Sequence, residues 1–335
     1  MRGLVNSYTE SLELPYSTMP TSQPSFACAP FIKEIGRGAR GARGLSRQDA
    51  FCLYEAILAG RVSAVELGAV LMAYRIKGET AEELAGMCDA AHASITRLRA
   101  PAGRTPVVIA SYNGARKQAN LVPLLALLLS RKGVPVLIHG IRHDPGRVTT
   151  AEVLEALHIA PAPDAAAAQS QLADRGLAFL ETASLAPALA AQLALRSVLG
   201  VRNSAHTIVK LLQPFDGPAL RLVNYTHPPY RDTLIEYFQK NDPVASPGVL
   251  LARGTEGEAV ADAGLTRETL WIHDGTVETI TEKGLRQTAS VETLPASRGA
   301  ADTAEWIDHV LAGTVAVPAP IATQLAGITR VLRNE

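Results

Sequence analysis

After Pro101 the sequence alternates short β-branched runs with helical segments, and this alternation constrains the fold more than any other feature. The predicted strands are 107–110, 134–138, 177–180, 220–223, 249–252 and 270–272. One helix is predicted to begin at about Gln118. A second is predicted to begin after Thr149, which caps it together with Glu152. Strands that alternate with helices form a largely parallel sheet, so this part of the chain belongs to the α/β class.

The residues before Pro101 have helical spacing instead. Three helix starts carry a hydroxyl residue followed three positions later by a carboxylate, a pattern in which the two side chains satisfy each other's free N–H groups. These pairs are Ser46 with Asp49, Ser63 with Glu66 and Thr80 with Glu83. The pattern predicts a small helical subdomain over residues 26–100.

The remaining domain boundaries follow from changes in composition and in the spacing of apolar residues along the chain. Helical spacing returns near 187–212, which predicts that this piece completes the helical subdomain. The α/β domain then comprises residues 101–186 and 213–335, and the alanine-rich stretch 160–173 is expected to be a loop leading into a helix. Residues 1–25 are rich in Ser, Thr and Pro without apolar periodicity, so they are predicted to be a flexible extension.

The composition favours a globular protein in the cytoplasm. A chain of 335 residues with 47% apolar content can bury a sizeable core. Its longest apolar run, 121–130, is interrupted by Pro123 and is too short to span a membrane, and the N-terminus has no signal-peptide pattern. The cysteines, at positions 28, 52 and 88, form no CxxC pair, which favours reduced thiols over a disulfide or zinc site.

Charge is distributed unevenly although the net charge is zero. Residues 31–147 contain 17 Lys and Arg against 9 Asp and Glu, a net charge of +8, whereas residues 148–335 carry −7. Within the positive part, cations alternate with glycines at Lys33, Arg37, Arg40, Arg43 and Arg47. Such a run fits a solvated helix end and loop or a path for a phosphate chain, and both interpretations stay open.

Further cations follow the first two predicted strands. Arg116 and Lys117 are expected at a helix start, where free N–H groups favour anions, and Arg142, His143 and Arg147 lie in the next such loop. The loops after parallel strands line the crevice where α/β proteins bind ligands, which favours phosphate contact over an ordinary exposed position. Arg142 could instead fix its loop by bonding carbonyl groups. His139 is interpreted as structural.

Several motifs in order resemble the anthranilate phosphoribosyltransferases. Residues 133–140 followed by Arg142 resemble the family's Lys-His-Gly-Asn-Arg turn, 199–202 its Leu-Gly-x-Arg and 253–257 its His-Gly-x-Asp-Gly. The resemblance covers about residues 32–274. It implies a nucleoside phosphorylase/phosphoribosyltransferase-like fold, with a small helical domain and a larger α/β domain around a mostly parallel sheet. Arg202 resembles the arginine that faces the aromatic acid in these enzymes, and Lys210 lies eight residues further on.

The chain departs from this family at the donor site. The resemblance places Ala110-Ser111-Tyr112-Asn113-Gly114 where the family has the Gly-Thr-Gly-Gly-Asp loop, whose backbone N–H groups cradle the donor's pyrophosphate. Ala259 and Val260 stand at the positions of the Asp-Glu pair that holds magnesium, which needs oxygen ligands. No metal or cofactor is therefore expected. Glu256 and Glu258 are expected to face solvent or to pair with an arginine.

These departures resemble the YbiB-like branch of the family, as do residues 32–38, 75–79 and 253–258. That resemblance implies a homodimer with a positively charged groove. Tyr112, Tyr225 and Tyr230 could stack on bases, although core packing is the commoner fate of such residues. The sequence shows no helix-turn-helix, zinc-finger or RNA-recognition motif, so contacts that do not depend on the nucleic-acid sequence are expected.

We therefore predict a non-enzymatic homodimer that binds nucleic acid, with a weak preference for single strands. The predicted phosphate-binding residues are Lys33, Arg37, Arg40, Arg43, Arg116, Lys117, Arg142, Arg147, Arg202 and Lys210. Two alternatives stay open. One is a phosphoribosyl or other glycosyl transferase, since His139, Gly140 and Arg202 are retained, and the other is a sensor of a small anionic metabolite.

Overall fold

A computed structural model describes residues 26–38, 40–242, 247–285 and 294–333. The predicted flexible extension, residues 1–25, lies outside the described residues. The helical part begins with α1 (Ala29–Ile35), α2 (Arg47–Leu58), α3 (Ala64–Lys77) and α4 (Ala81–Ser94). Ser63 and Thr80 cap α3 and α4 through the predicted reciprocal bonds, and the Ser46 side chain accepts from the backbone N–H of Asp49.

Helices α2 and α4 pack at very close range because a glycine lies between them. A Cβ atom added at Gly86 of α4 would lie 2.1 Å from the carbonyl oxygen of Arg47 and 2.9 Å from the Cβ of Ala50. The Arg47 guanidinium also donates to both carboxylate oxygens of Asp89, at 2.6 and 3.0 Å. The close packing of α2 against α4 therefore holds the helical domain together, and the bonds between Arg47 and Asp89 join the two helices.

The α/β domain is built on a seven-stranded sheet in the order β3-β2-β1-β4-β5-β6-β7. Strands β1 to β5 pair in parallel, and β6 and β7 are antiparallel. Their bounds are β1 Val107–Ser111, β2 Val136–Gly140, β3 Leu177–Glu181, β4 Leu220–Tyr225, β5 Val249–Arg253, β6 Thr269–His273 and β7 Thr276–Thr281. The mostly parallel sheet follows the sequence prediction.

Helices cover both faces of this sheet. Successive strand residues point to opposite faces, so Val108 belongs to the core shared with the helical domain and Ile109 to the core on the other face. The helices after β1 are α5 Val122–Arg131, α6 Thr150–Ala156, α7 Ala165–Arg175, α8 Thr182–Leu185, α9 Pro187–Ala194, α10 Arg196–Leu199, α11 Ala205–Ile208, α12 Pro228–Lys240, α13 Ala300–Leu311 and α14 Ala319–Val331. Of these, α9 contacts α2 and α11 contacts α4. The segment 187–212 thus packs on the helical part, while the domain boundaries stay a prediction.

The six predicted strands are all present with small shifts at their ends, and two elements differ from the prediction. Strand β7 was not predicted, because its residues are largely exposed and its two apolar residues, Val277 and Ile280, do not alternate with polar ones. The helix predicted from about Gln118 begins at Val122 instead, with Leu121 as its N-cap and Pro123 in its first turn. The alanine-rich stretch is a loop leading into α7, which Asp164 caps. Within the described ranges, no helix has the length and apolar character needed to cross a membrane.

Replacing Gly86 by alanine should destabilise the protein strongly. The added methyl group meets backbone atoms of α2 that cannot move without separating the two helices, so we expect a loss of about 1–3 kcal/mol in the free energy of unfolding. Chemical denaturation measures this loss. Gly217→Ala is the control, since its Cβ would meet nothing within 4 Å; equal effects of the two substitutions would contradict the packing argument.

Candidate functional site

A cleft opens at the carboxyl ends of the parallel strands, between the sheet and helices α8 to α11. We call this cavity of about 790 Å³ the interdomain cleft. One wall is the loop after β2, from Gly140 to Pro145, and the other includes Arg196 and Ser197 of α10. The carboxyl ends of parallel strands are where open α/β sheets bind ligands, so this cleft is the first candidate for a binding site.

A smaller cavity of about 110 Å³ adjoins the interdomain cleft, since Tyr112 and His206 line both. We call it the cationic cavity because Arg75, Arg202 and Lys210 line it. The end of α3 and the loop before α11 form one part of its wall, and Tyr112 with Thr226, His227 and Tyr230 of the α/β part form the rest. An anionic ligand reaching this point would be held by guanidinium and ammonium groups from two directions.

Burial strengthens the electrostatics of the cationic cavity. Desolvation, followed by the nearby charge of Arg202, lowers the pKa of Lys210 to about 8, and its Nζ donates to the carbonyl of Asn224 at 2.8 Å. The same two causes lower the pKa of His206 to about 4, so this imidazole is neutral at neutral pH. Burial raises the pKa of Glu79, whose Oε1 accepts from Ser204 while Oε2 has no hydrogen-bond partner. The cavity is therefore positive, with one buried acceptor left for a ligand's donor.

The loop after β1 is filled by acidic side chains from the same chain. Glu258 is buried, and its Oε1 accepts from the backbone N–H of Asn113 at 3.0 Å and of Gly114 at 2.6 Å. Glu256 accepts from the backbone N–H groups of Arg116 and Lys117, the latter at 2.9 and 3.0 Å. The expectation that the two glutamates face solvent or pair with an arginine was wrong for Glu258, which is buried; Glu256 is half exposed, although its carboxylate bonds to backbone amides. Their carboxylates occupy four loop amides, which we call the loop nest (the N–H groups of 113, 114, 116 and 117).

This arrangement also corrects the placement of Arg116 and Lys117. They do not begin a helix, because α5 starts only at Val122 and their N–H groups bond to Glu256. Their side chains are exposed to solvent. Any anion that they bind is therefore held by the side chains, since the amides beneath them are already satisfied.

Backbone geometry holds the loop nest closed. Gly257 has φ +93°, and a Cβ at this position would lie 2.2 Å from Nδ2 of Asn113, whose amide donates to the Gly257 carbonyl at 3.1 Å. Arg202 donates to the other end of the same Asn113 side chain. Arg147 donates to the Gly114 carbonyl at 3.1 Å. Two of the predicted phosphate-binding arginines thus bond to this loop, and Arg202 links it to the cationic cavity.

The ten predicted cations fall into three groups. Arg37 pairs with Glu34 at 2.6 Å and Arg142 with Glu155 at 2.9 Å. Arg147, Arg202 and Lys210 donate to groups of the protein, as described above. Five are exposed and form no ion pair with any residue in the described ranges; they are Lys33, Arg40, Arg43, Arg116 and Lys117.

The structure brings only some of these cations together. Arg202 and Lys210 meet in the cationic cavity, and Arg142 lines the interdomain cleft. Arg116 and Lys117 belong to the loop after β1, to which Arg147 bonds from the loop after β2. The amino-terminal cations Lys33, Arg37, Arg40 and Arg43 line neither cavity. A role for any of the ten residues in binding nucleic acid stays a prediction.

Sequence reasoning missed several residues that line the two cavities, among them Arg75, Glu79, Arg196 and His206. Arg75 and Glu79 lie in the segment that resembles the YbiB-like branch, which was a signal. Arg196 and His206 flank the Leu-Gly-x-Arg motif without a motif of their own. Their role depends on how α9 to α11 fold onto the sheet, which spacing alone does not reveal.

The donor-site positions do not fit a magnesium ion. Ala259 and Val260, where the transferase pattern has carboxylates, are buried in the core beneath the sheet and offer no oxygen ligand. Across the residues that the structure describes, no three His, Cys, Asp or Glu side chains are grouped so that they could hold a metal ion. Diphosphate chemistry at this site would have to proceed on side-chain cations instead.

Known proteins resemble this chain at the levels of family, sequence and fold. The model "Glycosyl transferase family, helical bundle domain" matches residues 29–95. The chain is 42% identical to the uncharacterized protein YbiB of Escherichia coli (strain K12) over 88% of this chain and 91% of that protein. It is 31% identical to the anthranilate phosphoribosyltransferase of Rhizobium meliloti (strain 1021) over 74% and 71% of the two chains. The chain belongs to the anthranilate phosphoribosyltransferase-like family.

Solved structures agree on the fold. The anthranilate phosphoribosyltransferase of Thermus thermophilus superposes with a TM-score of 0.70 at 23% identity, covering 91% of this chain and 89% of that one. The Saccharomyces cerevisiae enzyme in complex with PRPP and Mg gives a TM-score of 0.71 at 14% identity, over 92% and 89%. At these identities the match shows the fold alone. The predicted phosphoribosyltransferase-like fold is confirmed.

Glu258 should make stability depend on pH. Desolvation raises the pKa of its carboxyl to about 7, above the usual 4.5. The folded state thus binds the proton more tightly than the unfolded chain, so this contribution is complete below pH 4.5 and is lost as pH rises towards 7. We expect the unfolding free energy of the wild type to fall by roughly 1–3 kcal/mol more than that of Glu258→Gln between about pH 5 and 8.

Urea denaturation at each pH measures this difference. The glutamine keeps an oxygen for the two loop amides but has no titrating proton. Parallel pH profiles in the two proteins would show that Glu258 ionises without cost in the folded state.

Proposed function

We propose that this chain binds a phosphorylated ribosyl compound in the interdomain cleft and the cationic cavity, as a transferase-type protein that holds its ligand through side-chain cations. The observation that carries the proposal is the meeting of Arg75, Arg202 and Lys210 in one cavity that adjoins the cleft. The family relatives named anthranilate phosphoribosyltransferase favour this class of ligand over an unrelated one. The transferase alternative from the sequence thus becomes the leading proposal.

The electrostatics of the cavity suit a compact anion. Arg202 and Lys210 are partly buried, and charges in such surroundings attract an anion more strongly than they would on an open surface. Glu79 supplies an acceptor on Oε2 that a hydroxyl or amino group of the same ligand can satisfy. A ligand that carries both phosphate and hydroxyl groups, such as a sugar phosphate, satisfies both features.

In this proposal the chain binds its ligand without a metal ion, and this distinguishes it from transferases that have a magnesium site. Ala259 and Val260 provide no ligands, and the loop nest is filled by carboxylates. Pyrophosphate leaving from the donor would then lack the stabilisation that a divalent ion gives, so turnover with anthranilate should be very slow. In this proposal the cleft retains recognition and has lost most of the catalytic machinery.

Calorimetry with phosphoribosyl pyrophosphate tests this proposal. We expect the same affinity with magnesium and with a chelator, and a weakening of about tenfold or more in Arg202→Gln and in Lys210→Met, because each removes a charged hydrogen-bond donor. Lys132→Ala is the control, since Lys132 is exposed at the end of α5 and lines neither cavity. Affinity that rises with magnesium, together with rapid turnover of anthranilate, would refute the metal-free site.

Nucleic-acid binding is the second candidate, and the five exposed cations without ion pairs favour it. When unpaired cations on a protein surface neutralise phosphates, the counterions condensed on the nucleic acid are released, and this release favours binding. In this proposal Lys33, Arg40 and Arg43 form one basic segment, and Arg116 and Lys117 another beside the loop nest. The interaction would be independent of sequence and would prefer single strands weakly, as the sequence suggests.

A salt titration with single- and double-stranded oligonucleotides tests the second candidate. The logarithm of affinity should fall linearly with the logarithm of salt, by roughly 0.7–0.9 per phosphate contacted. Alanine at Lys33, Arg40 and Arg43 together, or at Arg116 and Lys117, should reduce this slope. Lys240→Ala, which removes a lysine already paired with Glu236 at 3.0 Å, serves as the control. Binding that ignores salt, or variants that bind like the wild type, would exclude this function.

The homodimer and the cytoplasmic location stay predictions. Helix α3 supports the first, because Val65, Met72 and Ile76 recur on it at spacings of seven and four residues, and all three are exposed. An apolar stripe at this spacing suits packing against a second copy of the same helix.

A further inference from the structure

We propose that Glu256 and Glu258 form an internal plug that occupies the loop nest in place of an anionic ligand, and that moving them aside opens a site for a diphosphate anion. The inference deepens the proposed function and rests on it for the class of ligand. The plug itself can be tested separately, because it concerns the loop after β1 and not the cationic cavity.

The first support is the geometry of the four N–H groups. One oxygen of Glu258 accepts from two successive amides, at 3.0 and 2.6 Å, and Glu256 accepts from the next pair of successive amides, those of Arg116 and Lys117. Successive N–H groups that converge on oxygens are the usual backbone arrangement for binding anions. The two carboxylates therefore occupy neighbouring positions that two phosphate groups of one ligand could occupy.

The second support is the charge around the loop nest. Arg147 bonds to the Gly114 carbonyl, Arg298 to the Arg116 carbonyl and Arg202 to the Asn113 side chain. The exposed side chains of Arg116 and Lys117 add two more positive charges. Five cationic residues thus belong to this loop or bond to it, so the surroundings favour an anion at this place whether or not it belongs to the protein.

The third support is the incomplete fit of Glu258. Its residue is 1% exposed, and only its Oε1 accepts from the loop amides. A carboxylate buried with only one of its oxygens on these amides is a costly occupant. A phosphate group presents three oxygens to the same amides and arginines, so it can replace the carboxylate without leaving the nest empty.

The plug is also a discrete unit of backbone. Residues 255–258 form a tight turn in which Thr255 and Glu258 exchange backbone bonds of 3.0 and 2.9 Å. Both central residues are left-handed, Glu256 at φ +54° and Gly257 at φ +93°. A left-handed conformation is unfavourable for a glutamate, and the bonds from the N–H groups of Arg116 and Lys117 offset that cost. If the two carboxylates left the loop nest, the turn would lose the bonds that hold it in place. Residues 255–258 could then move together as one segment.

Binding of sodium pyrophosphate without metal tests the plug. We expect Glu256→Ala and the double variant Glu256→Ala/Glu258→Ala to bind pyrophosphate at least tenfold more tightly than the wild type. The loop amides of 113, 114, 116 and 117 should also show shifted backbone NMR signals when it binds. Glu278→Ala is the matched control, because it removes one negative charge from the exposed strand β7 and should leave the affinity unchanged.

Three outcomes decide between the alternatives. If Glu256→Ala gains no affinity over Glu278→Ala, or if the loop amides do not respond, the carboxylates are permanent structural ties and the inference is wrong. Since Glu258 is buried, the double variant could fail to fold; the half-exposed Glu256 variant then carries the test alone. A gain that persists in a Lys210→Met background supports the plug even where the proposed binding in the cationic cavity fails.

Discussion

The hydrogen bonds between the loop after β1 and the glutamates of the 255–258 turn are the interaction on which the candidate site depends. A loop at the end of a buried strand must find partners for its N–H groups, and the resemblance to the transferases implies that in them the donor's phosphates fill this role. Here the protein supplies them itself, through Glu256 and Glu258. The loop can therefore keep its shape without ligand, and the surrounding arginines are left to act on whatever enters the cleft.

Arg202 connects this closed loop with the open part of the site. Its guanidinium bonds to Asn113 of the loop and also lines the cationic cavity beside Lys210. A ligand that attracts Arg202 into the cavity would weaken its bond to Asn113, and the loop would feel the change. In the proposed function, anion binding in the cavity and occupation of the loop nest would share this one side chain.

Much of the fold could be predicted from the sequence because its signals are local. Caps at Ser63, Thr80 and Thr149 and the apolar runs of the parallel strands lie within a few residues of the elements they define. The site was harder to predict, since Asn113 and Glu258 are 145 residues apart in the chain and no periodicity joins them. The resemblance to the transferases indicated which ligands are missing, but not that Glu258 bonds to the amides of Asn113 and Gly114.

The two edges of the sheet differ from its interior in a way that limits how copies of the chain can meet. Strand β7 is a largely exposed edge strand that carries Glu278 and three threonines, and at the other edge Ala162 bonds to β3 through an isolated bridge. Charged and covered edges resist strand-to-strand joining. These edges disfavour extension of the sheet by a second copy of the chain, which leaves the outer faces of the helices as the surfaces better suited to an assembly.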